Sequence, residues 1–195
     1  VEGKKIGFAL TGSYCTFDAV LPELKRICET GADVTPILSY NTAKTDTRFI
    51  KCQDLKNIIR QYTGKDAIET IEDAEPIGPK KLFELLIIAP CTGNTLAKIA
   101  GAVTDTPVTM AAKAQLRNER PVLIAVSTND GLSANAKNLG LLLNTRNIYF
   151  VPFRQDNYIK KSSSLVAEMG LIIDAAKSAL SGKQLQPIIL EGYSS

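Results

Sequence analysis

Lys5-Ile6-Gly7-Phe8-Ala9-Leu10-Thr11-Gly12-Ser13 sets an unbroken apolar run directly before three small polar residues. Consecutive apolar side chains in a strand need cover on both faces, as in a parallel sheet. The pattern then repeats along the chain. Residues 17–30 space Ala19, Val20, Leu24, Ile27 and Cys28 along one helical face, with Pro22 in the first turns and Gly31 as a stop. Residues 34–39 read as a second strand, 49–61 as a helix stopped by Gly64, and 85–89 as a third strand ended by Pro90-Cys91-Thr92-Gly93. Helices are predicted over 95–103, 108–118 and 133–145, strands over 122–126 and 148–151, and a closing helix over 165–180. Short apolar strands separated by helices imply parallel pairing, because a parallel crossover needs a dozen or more residues. The fold expected is therefore α/β: a three-layer, doubly wound, Rossmann-like parallel sheet.

The 195 residues suit one domain, 1–195, whose apolar tail from residue 183 is expected to dock on this subunit or a neighbour. Polar stretches 41–48 and 155–164 read as loops over a site. Hydrophobic residues make up 45% of the chain and the net charge is only +3, with basic residues scattered, so no nucleic-acid footprint is indicated. Apolar runs fall well short of the roughly 20 residues of a membrane span. The charged opening residues do not read as a signal peptide, and the location expected is the cytoplasm. Cys15, Cys28, Cys52 and Cys91 form no CxxC pair and are expected as free thiols, with no metal site. The chain contains 0 histidines, which excludes a Ser-His-Asp triad, a Cys-His dyad and any His-ligated metal.

Chemistry must then come from other side chains or from a cofactor. Ligands of open parallel sheets bind beyond the C-terminal strand ends, near the switch in strand order. Small polar residues occupy four such ends: 11–13, 39–42, 91–95 and 127–130. Gly12 lets the backbone approach an anion, and Thr11 and Ser13 either face that anion or cap the next helix. Neither GxGxxG nor a Walker A sequence is present, so a mononucleotide such as FMN fits better than NAD or ATP. Cys91 reads as a reactive thiol at a helix start or, more simply, as buried packing. Arg48 and Lys80 read as dicarboxylate ligands or solvated charges, Asp105 as a turn residue, and Tyr14, Tyr40 and Phe49 as ring-stacking or core aromatics.

Ala89-Pro90-Cys91-Thr92-Gly93-Asn94-Thr95-Leu96-Ala97-Lys98-Ile99-Ala100 resembles the PASANT segment of the flavin-containing cysteine decarboxylases and flavin prenyltransferases. Residues 5–13 resemble that superfamily's first strand and phosphate loop, and Asn129 alone remains of its PxMN motif. Thr47-Arg48-Phe49, Ala74-Glu75-Pro76-Ile77-Gly78-Pro79-Lys80, Ala125-Val126-Ser127-Thr128-Asn129-Asp130 and Asn147-Ile148-Tyr149-Phe150-Val151-Pro152-Phe153 extend the likeness over nearly the whole chain. Together they resemble the dipicolinate synthase B-subunit family. That resemblance implies FMN and a homo-oligomer built on trimers. It further implies a dinucleotide-binding A subunit that brings NAD(P), and oxidation of a dihydrodipicolinate-type dicarboxylate during sporulation. By position it implies cofactor contacts from Thr11, Gly12, Ser13, Ser39, Cys91 and Thr92, and catalytic roles for Asn94 and Asn129. A non-catalytic subunit with a vestigial pocket and a flavin-dependent decarboxylase are the alternatives. The missing histidine, which the decarboxylases use, counts against the latter.

Overall fold

In the computed structural model, which describes residues 1–191, the opening apolar run forms β1 (Lys5–Leu10), buried from Ile6 onward. α1 (Phe17–Glu29) follows and buries Val20, Leu24 and Ile27 at helical spacing. β2 (Asp33–Leu38) leads into a short α2 (Tyr40–Lys44). α3 (Cys52–Thr63) ends at Gly64, whose φ of 70° is the left-handed conformation that a helix stop favours in glycine. α4 (Ile71–Ala74) precedes β3 (Leu85–Cys91), which is buried throughout. α5 (Gly93–Ala100) and α6 (Pro107–Arg117) connect it to β4 (Val122–Thr128). α7 (Ala136–Leu143), β5 (Ile148–Phe150), β6 (Phe153–Gln155), β7 (Leu165–Ala167) and α8 (Ile172–Leu180) complete the order.

β2, β1, β3, β4 and β5 lie side by side, every neighbouring pair parallel. The order reverses direction at β1. Right-handed crossovers therefore send the connection after β1 to one face and those after β3 and β4 to the other. The packing agrees: α1 contacts α8, while α5 contacts both α6 and α7. The core between these layers is continuous, with Phe8, Leu10, Ile37, Ile87, Ile124 and Leu24 among its fully buried side chains. This is the expected three-layer doubly wound fold. Among the described residues no helix is long and apolar enough to cross a membrane.

Three local expectations need correction. The predicted helix over 165–180 begins only at Ile172. Its first residues form β7, which pairs antiparallel with Ser127–Thr128 of β4 and with β6. Leu165 and Ala167 are buried while Val166 is half-buried, the two-residue alternation of a strand. The sheet is therefore mixed at this end: β5 takes one half of the β4 edge and β7 the other. Secondly, the helix expected from residue 49 starts at Cys52, leaving Phe49 51% exposed with the Arg48 guanidinium over its ring. Thirdly, the stretch 41–48, read as a loop, begins inside α2, because the Ser39 hydroxyl accepts the Thr42 N–H and starts a helical turn.

Beyond α8, the Gln184 side chain accepts from Phe150 N–H and donates to the Phe150 carbonyl, as a strand residue would. Ile188 and Leu190 then bond to Phe153 through their backbones. Residues 192–195 of the tail lie outside the described residues. Gly131 approaches Leu165 so closely that a Cβ there would sit 2.7 Å from its side chain, which places the β6–β7 hairpin directly against the turn after β4. Leu165→Ala is expected to cost about 2–5 kcal/mol, read as a lower midpoint in urea unfolding.

Candidate functional site

Parallel pairing brings the C-terminal ends of β1, β2, β3 and β4 to one edge, as the strand-end residues require. Between them opens a cavity of about 260 Å³ lined by Thr11, Gly12, Ser39, Tyr40, Asn41, Thr92, Asn94, Thr95, Lys98 and Thr106. It sits at the point where the strand order turns back, between β1 and β3.

Thr11 joins the two sides of that point. Its hydroxyl donates to the Pro90 carbonyl at 2.7 Å and accepts the Thr92 N–H at 2.9 Å, and it is 1% exposed. Neither Thr11 nor Ser13 caps a helix through its side chain. Ser13 instead pairs with Ser127 across the edge, hydroxyl to hydroxyl at 2.7 Å. Ser39, Thr92 and Thr106 are caps, of α2, α5 and α6. Thr106 forms a reciprocal capping box with Thr109, and Pro107 occupies the first turn, where a missing N–H costs nothing. The starts of α5 and α6, with their partial positive charge, thus meet at one cavity.

Charge at the cavity is set by one pair. The Lys98 ammonium donates to both Asp105 oxygens, at 2.8 and 2.9 Å. That hydrogen bond holds the Asp105 carboxyl below the ordinary carboxylate range. Below the start of α5, Asp130 accepts from Thr128 and from the Asn135 amide. Gly93 lies against this group, and a Cβ there would come within 2.4 Å of the Thr128 hydroxyl. Only glycine admits so close an approach of the helix start.

The structure therefore gathers Thr11, Gly12, Ser39, Thr92 and Asn94 at the cavity, and sets Ser13 beside it. Asn94 is exposed on the second residue of α5. Asn129 is exposed in the turn after β4, on the same edge but outside the cavity wall. Cys91 requires correction: its side chain is 0% exposed and faces the core, and burial pushes its thiol up, so it is neither a cavity contact nor a thiolate. Of the aromatics, Tyr40 lines the cavity, while Tyr14 packs on Phe17 at 5.3 Å and buries a hydroxyl with no hydrogen-bond partner among the described residues. Lys80 precedes β3 and follows the segment packed on the C-terminal end of α6, at the opposite edge of the sheet, where it cannot serve this cavity. Lys98 and Thr106 line the cavity from outside the four strand ends that the sequence marks. Thr106-Pro107 carries the signal of a capped helix start; Lys98 carries none that separates it from a solvated helix face.

The flavoprotein family model matches residues 1–179. The chain belongs to the flavoprotein family. The dipicolinate synthase B subunit of Bacillus subtilis (strain 168) is 47% identical over 193 residues, covering 99% of this chain and 96% of that protein. The crystal structure of the dipicolinate synthase B subunit from Bacillus halodurans superposes with a TM-score of 0.90 at 45% identity, covering 98% of each chain. The FMN-dependent cysteine decarboxylase SpaF shares the flavoprotein fold, with a TM-score of 0.64 at 18% identity over 92% of this chain and 97% of that one. Thr11→Val is isosteric but leaves the Thr92 N–H of this flavoprotein without its acceptor. The expected loss is about 1–3 kcal/mol of stability in chemical denaturation.

Proposed function

We propose that this chain is the flavin-bearing B subunit of a dipicolinate synthase, holding FMN at the strand-edge cavity and acting with an A subunit. The observation that supports this reading most is the cavity itself: small polar residues and the starts of α5 and α6, gathered where the strand order reverses. Such a place suits a phosphate. Gly12 and Ser39 with Asn41 would hold the phosphate end, with Ser13 adjoining. Thr92 and Asn94 would lie towards the ring, with Asn129 on the substrate side. The 260 Å³ within one chain is below the about 300–1,000 Å³ typical of whole cofactor sites. The ring end would then extend to a second copy, in keeping with a homo-oligomer built on trimers.

Oxidising a dihydropyridine dicarboxylate to the aromatic acid removes two electrons and two protons. A bound flavin would supply the acceptor for the hydride and, in its reduced form, take up the second proton. The chain's own residues would hold the two carboxylates, orient the ring through the Asn94 and Asn129 amides, and exclude water. With no histidine and no dinucleotide fingerprint, the chain has no visible route to NAD(P), which the A subunit would provide. The domain would act as one unit, with the tail from residue 183 fixing β5 and β6, in the mother-cell cytoplasm of a sporulating bacterium.

The test has two parts. Flavin fluorescence is expected to show saturable FMN binding to the isolated chain. Dipicolinate synthesis is expected with the A and B subunits together and not with the B subunit alone. A flavin-free chain that still raises synthesis by the A subunit would reject the cofactor and support an assembly role. Full turnover by this chain alone would reject the dependence on a partner. Asn94→Ala and Asn129→Ala are expected to lower synthesis about tenfold or more while unfolding with unchanged midpoints, since each removes an amide that bonds the reacting ring.

A further inference from the structure

Among the described residues that line the cavity, Lys98 alone carries a positive charge. Its ammonium is held rather than free: both Asp105 oxygens accept from it, and the side chain is 25% exposed. Asp105 itself is 57% exposed and sits one residue before Thr106, the cap of α6. The pair thus stands at the rim, beside the helix start, and a single carboxylate does not exhaust the three donors of Lys98. We infer that Lys98 is a carboxylate-binding subsite, which takes one carboxylate of a dicarboxylate ligand while Asp105 acts as a built-in competitor and guide. The inference rests on the proposed dipicolinate synthase reading, because only that reading calls for a ligand with two carboxylates. A planar ring with carboxylates on both flanks presents two separate anionic ends, and a charged donor can meet one of them while neutral donors meet the other. The phosphate end of the cavity, at Gly12 and Ser39, is the part assigned to the cofactor. Lys98, on the second turn of α5, lines the same cavity and bonds Asp105, the residue before Thr106.

The two members of the pair should act in opposite directions. A pair that merely ties α5 to the loop before α6 would behave alike whichever partner is removed. The experiment titrates the FMN-loaded chain with dipicolinate and, separately, with picolinate, which has a single carboxylate. Wild type is expected to prefer dipicolinate. Lys98→Met should weaken dipicolinate about ten- to a hundredfold, the range for one charge-assisted hydrogen bond, and weaken it more than it weakens picolinate in the same FMN-loaded chain. Asp105→Asn, which frees Lys98 of its competing carboxylate, should tighten dipicolinate. Lys98→Arg should restore most of the preference. If both variants bind dipicolinate as wild type does, or both weaken it alike, the subsite is overturned while the FMN reading stands. Should Lys98→Met fail to fold, Asp105→Asn decides alone: tighter binding supports the subsite, and unchanged or weaker binding overturns it. A wild-type chain that binds FMN but neither acid contradicts the dipicolinate reading itself, and the subsite falls with it.

Discussion

The hydroxyl of Thr11 holds the end of β1 against the end of β3, and the arrangement of the site depends on that contact. It bonds the Pro90 carbonyl and the Thr92 N–H at the same time. These are the strands between which the order of the sheet turns back, so their ends diverge above the contact and leave the crevice that ligands use. Thr92, fixed from below by Thr11, caps α5 from above through its own hydroxyl. The start of α5 is therefore positioned by a chain of three groups that runs from the core to the cavity. On its other side the helix start is fixed by Gly93, lying without a side chain against Thr128, Asp130 and Asn135. A binding geometry held from both sides in this way needs little rearrangement when a ligand arrives.

Most of the hydroxyls around the cavity are committed to the protein. Thr11 clamps strands, Ser39, Thr92 and Thr106 cap helices, and Ser13 pairs with Ser127. What they would offer a ligand is indirect, through the helix starts they hold and the backbone they shape. What faces the open space is different: the glycine at position 12, the exposed amide of Asn94 and the Lys98–Asp105 pair. This separates residues that build the cavity from residues open to an occupant.

The parallel sheet was legible because its strands are continuous apolar runs, and because small polar residues mark where each one ends. The cavity edge followed from topology alone. The hairpin of β6 and β7 was not legible: three-residue strands carry little periodicity, and Leu165-Val166-Ala167 blends into the apolar spacing of α8. Pairing with Ser127 and Thr128, far away in sequence, decided it. Cys91 misled for a related reason. Its place after β3 and before a helix start fits a reactive thiol, but β3 stays buried to its last residue and turns that side chain inward. Gly93 and Lys98 lie inside the PASANT-like segment, yet what makes each of them matter comes from residues 128–135 and 105, and nothing local announces either contact.

The central claim is that the strand-edge cavity holds the phosphate of a mononucleotide. A crystal structure of the chain grown with FMN tests it most directly. The account predicts flavin density whose phosphate lies beside Gly12 and Ser39, with the ring running past Asn94 towards a neighbouring copy. Density at another surface, or an empty cavity in crystals saturated with FMN, would contradict it.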